Sequence, residues 1–294
     1  MTTSPSLLIV GHGTRAAEGA AEFHALADRV AALAPELRVA AGFIELSAPP
    51  VSEAVSELVA DGATDVVAVP LMLLAAGHAK NDIPATLVRE RLAHPGIYFR
   101  YGRELGVRPE LLDLVDRRIA DVVEPEELER TAVLLVGRGS SDPDANSELF
   151  KVARLHFEGR PHPLVEPAFV SLAPPSVPEG LERCRRLGAE RVVVVPYFLF
   201  TGVLERRIRD QAAQYAECTG LEVRVSGYFG PDPAIAALVL ERYREAVEGD
   251  IRMNCDMCIH RVALPGFEDR VGAVATPHYH PDENGHHHDH AHAH

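Results

Sequence analysis

The chain repeats its own sequence pattern at an offset of 126 residues, and this repeat strongly constrains the fold. Gly11-His12-Gly13 in the first half lies over Gly137-Arg138-Gly139 in the second half. The same offset superimposes four further pairs: Phe43 on Phe169, Pro49 on Pro175, Gly62 on Gly188, and Pro70 on Pro196. Internal repetition at a fixed spacing predicts a duplicated structural unit. We therefore expect two tandem modules, over residues 5–123 and 131–248, joined by the charged segment 124–130.

Each half alternates short apolar strand patterns with helical patterns. The strand patterns of the first half cover residues 6–10, 37–44, 66–69 and 97–101. Those of the second half cover residues 132–136, 164–170, 192–195 and 222–226. Unbroken apolar strands separated by helices are typical of parallel sheets that are covered on both faces. The chain is therefore predicted to be an α/β protein that binds any ligand outside the carboxyl ends of its strands.

Composition excludes several classes of partner. The 294 residues are 47% hydrophobic and 24% charged, as in a globular protein of about two domains. A formal net charge of −14 argues against nucleic-acid binding, which needs a basic face. No signal-peptide pattern precedes the first strand, and no apolar run approaches the roughly 20 residues of a membrane-spanning helix. We therefore expect a cytoplasmic protein that has no membrane partner and no disulfide framework.

The last part of the chain, residues 249–294, has a different composition. It contains the pair Cys255-x-x-Cys258, and eight of the fifteen histidines lie from His278 onward. The final histidine runs are broken by Asp and Ala, which favours a native metal-sequestering tail over an expression tag. We expect a Cys- and His-rich C-terminal tail here, and not a third folded core.

Three residues that can bind a metal or exchange protons each follow a strand pattern in the first half. His12 follows the first strand, Glu45 the second and His78 the third. Because the carboxyl ends of parallel strands meet at one edge of a sheet, the three side chains are expected to converge. Two imidazoles and a carboxylate are suitable ligands for Fe²⁺, Co²⁺, Ni²⁺ or Zn²⁺ and leave coordination positions open.

Each of these residues also has a simpler interpretation. His12 is then only a turn residue, His78 a solvent-facing loop residue, and Glu45 a cap for the following helix. The spacing Gly11-x-Gly13-x-x-Ala16 also matches the dinucleotide-binding fingerprint, although Glu45 lies farther along the chain than the usual ribose carboxylate. A nucleotide-binding protein is therefore one alternative at this point.

Three motifs together resemble the sirohydrochlorin chelatases of the CbiX/SirB type, in their long two-module form. They are Gly-His-Gly-Thr-Arg at 11–15, Phe-Ile-Glu-Leu-Ser at 43–47, and Ala-Gly-His-Ala-Lys-Asn-Asp-Ile-Pro at 76–84. The resemblance implies a type II chelatase fold, in which two flavodoxin-like modules with parallel sheets face a cleft. It also implies a lyase that inserts Co²⁺ or Fe²⁺ into sirohydrochlorin for cobalamin or siroheme biosynthesis, with His12, Glu45 and His78 at the catalytic metal site.

Sirohydrochlorin carries eight carboxylates, so a cleft that binds it needs cationic groups around its rim. We expect Arg15, Lys80, Arg138 and Arg206 to provide them, although each is otherwise an ordinary surface charge. Arg138 occupies the position that matches His12, which suggests that the second module replaced a metal ligand by a carboxylate-binding residue.

The tail leaves two further interpretations open. Cys255 and Cys258 provide too few ligands for a closed site, but some long members of the family carry a cysteine motif associated with an iron–sulfur cluster. With His260, His278 and His280 they would instead bind Zn²⁺, and as a third alternative they are reduced thiols. The alternative function is a metal-storage or metal-delivery protein that acts through the tail. The motifs do not distinguish Co²⁺ from Fe²⁺, nor do they fix the oligomeric state.

Overall fold

The structure, a computed structural model, describes residues 4–249 and confirms the α/β fold with two parallel sheets. In the first sheet the strands β1 (Ser6–Gly11), β2 (Val39–Phe43), β3 (Asp65–Pro70) and β4 (Tyr98–Tyr101) are arranged in the order β2-β1-β3-β4. In the second sheet the strands β5 (Thr131–Gly137), β6 (Val165–Phe169), β7 (Arg191–Pro196) and β8 (Glu222–Val225) have the order β6-β5-β7-β8. The matching strand orders agree with the predicted duplication.

Eight α-helices connect and cover these strands within the described residues. They are α1 (Ala17–Leu33), α2 (Val51–Ala60), α3 (Ile83–Ala93), α4 (Pro109–Ala120), α5 (Pro143–Gly159), α6 (Val177–Arg186), α7 (Val203–Thr219) and α8 (Pro233–Glu248). A π-helical segment, His78–Asp82, leads into α3 where the sequence predicted only a loop. The linker between the halves is largely a short 3₁₀ helix, Pro125–Arg130. No helix in residues 4–249 is long and apolar enough to cross a membrane.

The central strand of each sheet is buried on both faces, as its unbroken apolar sequence predicts. On β1, Leu7 and Ile9 face one core cluster, whereas Leu8 and Val10 face another. The first of these clusters also contains Val133 and Leu135 of β5, so it extends through both modules. Burying one such aliphatic side chain stabilises the fold by about 1.5–3 kcal/mol, and the shared cluster therefore joins the modules firmly.

The last helix of each half packs against the other half. Helix α4 packs against β7 of the second sheet, while α8 packs against α1, β3 and β4 of the first module. Side-chain hydrogen bonds support the exchange, because Arg103 binds Glu245 on α8 at 3.0 Å and Arg118 on α4 binds the Tyr228 carbonyl at 2.7 Å. The amphipathic pattern of α4 correctly predicts a helix with one buried face, but it does not indicate which sheet covers that face.

Candidate functional site

The site lies at the carboxyl ends of β1, β2 and β3. The pairing of β1 with β2 continues past both strands, because Ile44 N donates to Gly11 O at 3.0 Å and Glu45 N donates to His12 O at 3.1 Å. His12 and Glu45 are therefore direct neighbours across the sheet edge. Gly13 has a φ of +106°, and a Cβ there would lie 1.8 Å from the Glu45 carbonyl oxygen, so only glycine fits this turn.

The structure brings the three predicted metal ligands together. His12 Nε2 lies 3.3 Å from Glu45 Oε1, and the His12 and His78 rings meet edge to face with centroids 4.1 Å apart. One ligand atom from each residue lies within 4.8 Å of the other two. The side chains are 24% exposed for His12, 38% for Glu45 and 11% for His78, so an ion here remains accessible from the cleft. The arrangement fits a divalent ion with two nitrogen ligands and one oxygen ligand.

His78 lies on the π-helical segment, and two contacts in the first module hold this segment in place. Asp82 Oδ2 lies 2.6 Å from His78 Nδ1, one turn away. Tyr101 Oη, from β4, donates to the Ala79 carbonyl at 2.6 Å. The carboxylate contact at Nδ1 leaves Nε2 as the nitrogen that can bind a metal, a common arrangement for metal-binding histidines. Single π-helical turns of this kind occur frequently at functional sites.

Asp82 therefore has a different role from the one that the sequence suggested. It stands at the N-cap position of α3, but its side chain makes no capping hydrogen bond there. Likewise Glu45 does not cap α2, whose N-cap is Pro50. The spacing of four residues between His78 and Asp82 is the sequence signal that indicates their pairing, because side chains at that spacing are neighbours on one helix face.

A cleft with a volume of ≈ 480 Å³ opens beside these residues and is lined by both modules. Its apolar walls come from the loops after β3 and β7, namely Leu71, Met72, Leu73 and Leu74 in the first module and Tyr197, Phe198, Leu199 and Phe200 in the second. Its polar lining includes His12, Arg15, His78, Arg138 and Asn146. The cleft can therefore hold a large apolar ring system whose polar substituents face the charged groups.

The predicted cationic residues fall into three groups. Arg15 and Arg138 line the cleft, as expected for carboxylate-binding residues. Arg206 is exposed on α7 and is not among the described residues that line the cleft. Val203, Leu204 and Glu205 of the same helix do line it.

Lys80 lies elsewhere. It is 8% exposed, and its ammonium group binds Asp142 and Asp144, each at 2.8 Å. Burial alone lowers the pKa of Lys80, but the hydrogen bonds and charges of Asp142 and Asp144 outweigh it and raise that pKa above its usual value. The structure does not support our expectation that Lys80 lies at the rim, because a buried ammonium with two carboxylate partners is not available to a substrate. The spacing of strands and loops in the sequence does not indicate this burial.

The second module keeps the backbone frame of the site without its ligands. Ser171 N donates to Arg138 O at 3.0 Å, and a Cβ on Gly139 would lie 1.8 Å from the Ser171 carbonyl. These contacts match those of Glu45, His12 and Gly13 at the offset of 126 residues. The duplicated frame therefore presents Arg138 and Ser171 to the cleft edge where the first module presents His12 and Glu45.

A tyrosine that lines the cleft and two buried glutamates near it were not predicted from the sequence. Tyr197 lines the cleft, and both burial and the charge of Glu148 raise the pKa of its hydroxyl. Glu148 is 1% exposed, and Glu104 is 2% exposed. Burial raises the pKa of Glu104, a backbone hydrogen bond opposes this, and the charge of Glu148 adds to the rise. Glu148 lies in an ordinary amphipathic pattern, so its sequence position gave no signal of burial.

The comparisons with known proteins agree with this geometry. The CbiX family model matches residues 6–122 and again residues 132–246. The chain belongs to the CbiX family. This membership confirms the resemblance based on the three motifs, and the double match follows the internal repeat. Cys255 and Cys258 lie outside the described residues, as do the tail histidines, so their predicted cluster or Zn²⁺ site stays a prediction.

Two curated members of the CbiX family are similar over most of their length. A sirohydrochlorin cobaltochelatase from Priestia megaterium is 41% identical over 263 residues, which cover 88% of this chain and 85% of that protein. A sirohydrochlorin ferrochelatase from Bacillus subtilis is 33% identical over 240 residues, covering 82% and 91% of the two chains. The solved structure of SirB from Bacillus subtilis with Fe³⁺ has a TM-score of 0.74 at 32% identity and covers 84% of this chain and 97% of SirB.

Proposed function

We propose that this CbiX-family chain is a lyase that inserts a divalent metal, Co²⁺ or Fe²⁺, into sirohydrochlorin. The observation that carries this proposal is the convergence of His12, Glu45 and His78 within 4.8 Å at the edge of a cleft with apolar walls. The curated relatives named cobaltochelatase and ferrochelatase support it, each matching more than four fifths of the chain. We further propose that residues 5–123 provide the metal-handling module and residues 131–248 complete the cleft.

In this proposal the metal substrate binds first between the two imidazoles and the carboxylate. His12 and His78 each contribute one nitrogen, and Glu45 contributes one oxygen, so that the ion keeps open positions for the incoming ring nitrogens. Asp82 fixes the orientation of His78 through the contact at Nδ1. Imidazole ligands bind these ions less permanently than a closed thiolate site does, which suits transfer to a stronger tetrapyrrole ligand.

Insertion also releases two protons from the pyrrole nitrogens, so the site needs proton acceptors. We propose that the Glu45 carboxylate and an imidazole take this role as the metal leaves them. The contact of 3.3 Å between His12 Nε2 and Glu45 Oε1 places an acid–base pair directly beside the position of the ion. The two ligands that release the metal thereby become the bases that accept the two ring protons.

The macrocycle is proposed to lie between the apolar loops of the two modules. Met72 and Leu73 form part of one wall, and Phe198 and Leu199 part of the other. Arg15 and Arg138 line the cleft, and we assign to them the binding of the peripheral carboxylates through charge-assisted hydrogen bonds. Arg206 is exposed beside the cleft and is assigned to outer carboxylates only, while Lys80 has no role in substrate binding.

The metal-storage alternative is not favoured, because the matched family regions end before the tail. The nucleotide-binding alternative is also weaker, since Glu45 contacts His12 at the cleft. The cytoplasmic location and a cluster or Zn²⁺ at Cys255 and Cys258 remain parts of the sequence-based expectation. Iron and zinc analysis of the purified protein, with and without residues 250–294, tests the cofactor directly.

An anaerobic absorbance assay with sirohydrochlorin and either Co²⁺ or Fe²⁺ tests the proposed function. We expect spectral conversion faster than the non-enzymatic reaction, and a variant truncated after Gly249 should retain it because the site lies in the modules. The faster metal indicates the physiological substrate. A truncated protein that loses all metal-dependent activity while remaining folded would favour the metal-storage alternative.

A further inference from the structure

An ion-pair cluster around a buried lysine connects the metal-site segment of the first module to the second module. Lys80 lies on the π-helical segment, two residues after His78. Its Nζ lies 2.8 Å from Asp142 Oδ2 and 2.8 Å from Asp144 Oδ2, and both aspartates lie at the start of α5. The side chain of Lys80 is 9% exposed. We call Lys80, Asp142 and Asp144 the inter-module clamp.

The clamp acts on the same turn of chain that carries His78. On one side, Tyr101 Oη holds the Ala79 carbonyl at 2.6 Å. On the other side, Lys80 holds the segment to the second module. His78 is therefore followed directly by two anchored residues. Ala79 is held from within the first module, and Lys80 is held by the second module. A π-helical turn is a rare local conformation, so contacts from outside the segment help to fix its position.

The second-module end of the clamp is itself well ordered and adjoins the cleft. Asp142 caps α5 by accepting from Asp144 N at 3.0 Å, and its own N–H donates to Ser140 Oγ at 3.0 Å. Asn146 and Ser140 form two further hydrogen bonds with each other, at 2.9 and 2.7 Å. Ser140 and Asn146 both line the cleft. The clamp therefore joins the His78 segment to the hydrogen-bonded start of α5, which adjoins the cleft in the second module.

The clamp is specific to one of the two related interfaces. At the offset of 126 residues, Lys80 corresponds to Arg206, and Asp142 and Asp144 correspond to Ala16 and Glu18. Ala16 has no carboxylate, and Arg206 is exposed whereas Lys80 is buried. The clamp thus occurs on the side of the molecule where the metal ligands are, and the matching position in the second module carries Leu204 in place of His78.

We propose that the inter-module clamp positions His78 for metal binding, so that the second module directly sets the geometry of a site whose ligands all lie in the first. Lys80 is a positioning residue in this proposal, because it contacts neither the metal nor the tetrapyrrole. The inference rests on the proposed metal-insertion function for its catalytic consequence. Its structural consequence, that the clamp controls how the apo-protein binds Co²⁺, does not need the insertion reaction.

The test is an anaerobic Co²⁺ titration, followed by the d–d absorption bands, of the full chain and of the same chain truncated after Gly249, combined with the insertion assay on the same samples. Truncation removes the histidine-rich tail, which is itself expected to bind Co²⁺, so the truncated form reports on the site in the modules. Lys80→Met removes the charge but keeps a long side chain. Asp144→Asn is a milder second variant, since Asp142 then retains both its cap and one ion pair with Lys80. Lys151→Met is the matched control, because Lys80 and Lys151 are the two lysines of the chain and Lys151 is exposed on α5.

Lys80 acts on His78 only through the chain, so we expect Lys80→Met to weaken Co²⁺ binding by about 10-fold, the low end of the range for residues that orient a metal ligand, and to alter the d–d bands. Asp144→Asn should show a smaller change in the same direction, Lys80→Arg should recover most of the affinity, and Lys151→Met should match wild type. Circular dichroism at the assay temperature verifies that each variant is folded, and if Lys80→Met is not, Asp144→Asn decides.

A purely stabilising clamp gives a different result. Lys80→Met and Asp144→Asn then unfold at lower temperature but, while folded, bind Co²⁺ with the affinity and spectrum of wild type, and the positioning role is overturned. If wild type binds Co²⁺ but does not accelerate insertion, the proposed function fails while the Co²⁺ titrations still decide the role of the clamp. A wild-type protein that binds no Co²⁺ overturns both.

Discussion

The His12 and His78 rings lie edge to face with centroids 4.1 Å apart, although they come from the ends of different strands. An aliphatic side chain would pack at least as well in this position, so packing alone does not explain two imidazoles in contact. With Glu45 Oε1 3.3 Å from His12 Nε2, the pair forms a compact set of donors for one ion. The predictions below follow from this arrangement and from the frame that holds it.

Loss of either histidine should weaken metal binding. We expect His12→Ala and His78→Ala each to lower the affinity for Co²⁺ by at least about 10-fold, because one of three protein ligands is lost. Titration of the apo-protein truncated after Gly249, followed by Co²⁺ absorbance, measures this affinity without a contribution from the histidine-rich tail. His94→Ala is the matched control, since His94 lies at the end of α3, away from the cleft, and should bind Co²⁺ as wild type does. Equal affinities in all three variants would place the metal elsewhere.

Asp82 should affect the metal site without contributing a ligand. We expect Asp82→Asn to weaken Co²⁺ binding by about 10-fold, because an uncharged amide oxygen is a weaker acceptor than the carboxylate and holds His78 Nδ1 less firmly. The same titration measures the change. Asp61→Asn provides a control at the end of α2, outside the residues that line the cleft. Wild-type affinity in Asp82→Asn would show that the negative charge of Asp82 does not contribute to the metal site.

Arg138 should contribute to binding of the tetrapyrrole and not to binding of the metal. We expect Arg138→Ala to raise the KM for sirohydrochlorin by about 10-fold, since a charge-assisted hydrogen bond to a carboxylate is lost. The effect should shrink at high salt because partly exposed charges are screened. Steady-state assays at two ionic strengths test this, with the exposed Arg154 replaced by Ala as control. An unchanged KM, or an equal loss in both variants, would contradict the assignment.

Gly13 and Gly139 offer a matched pair of backbone substitutions. Alanine at either position adds a Cβ about 1.8 Å from a carbonyl oxygen, at a residue with positive φ. Each substitution should therefore lower the free energy of unfolding by about 2–3 kcal/mol. Only Gly13→Ala displaces Glu45, so only this variant should also weaken Co²⁺ binding by the folded protein. Urea unfolding and Co²⁺ titration separate the two effects, and equal titration curves would contradict the role of Glu45.

An ion pair between the modules should make stability depend on acid pH. Burial by itself raises the pKa of Asp116. The hydrogen bonds and charges of His156 and Arg160 outweigh burial and lower this pKa from 3.8 to about 2. Because the folded state has the lower pKa, the contribution of Asp116 is present above about pH 4 and is lost as pH falls toward 2.

The free energy of unfolding of wild type and Asp116→Asn, measured in urea between pH 5 and pH 2, tests this coupling. We expect wild type to be more stable at pH 5, and the difference between the two proteins to shrink as the pH falls. A difference that stays constant over this range would show that the carboxylate charge of Asp116 contributes nothing.

The sequence predicts those parts of the molecule that depend on local pattern. Strand β1 and the turn at Gly13 follow from an apolar run and a glycine-rich motif, and the two sheets follow from the repeat. The convergence of His12, Glu45 and His78 follows from the geometry of parallel strands, since each residue comes after a strand end. These features need no knowledge of how the two modules pack.

Several features that the sequence did not predict depend on packing between the modules. Lys80 is a surface charge by every local criterion, and only its burial against Asp142 and Asp144 removes it from the rim. The exchange of α4 and α8 between the sheets has the same origin, because an amphipathic helix does not specify its partner. The burial of Glu148 near Tyr197 also depends on tertiary packing that the helical pattern of α5 does not specify.

In the proposed function, His12 and His78 bind the divalent metal that the enzyme inserts into sirohydrochlorin. The most direct measurement is the rate of metallosirohydrochlorin formation under anaerobic conditions, with Co²⁺ and Fe²⁺, for wild type, His12→Ala, His78→Ala and His94→Ala. The account predicts acceleration over the non-enzymatic rate by wild type and His94→Ala, and a loss of at least about 100-fold in the other two variants. Acceleration that persists in both of those variants, or that is absent from folded wild type, would contradict it.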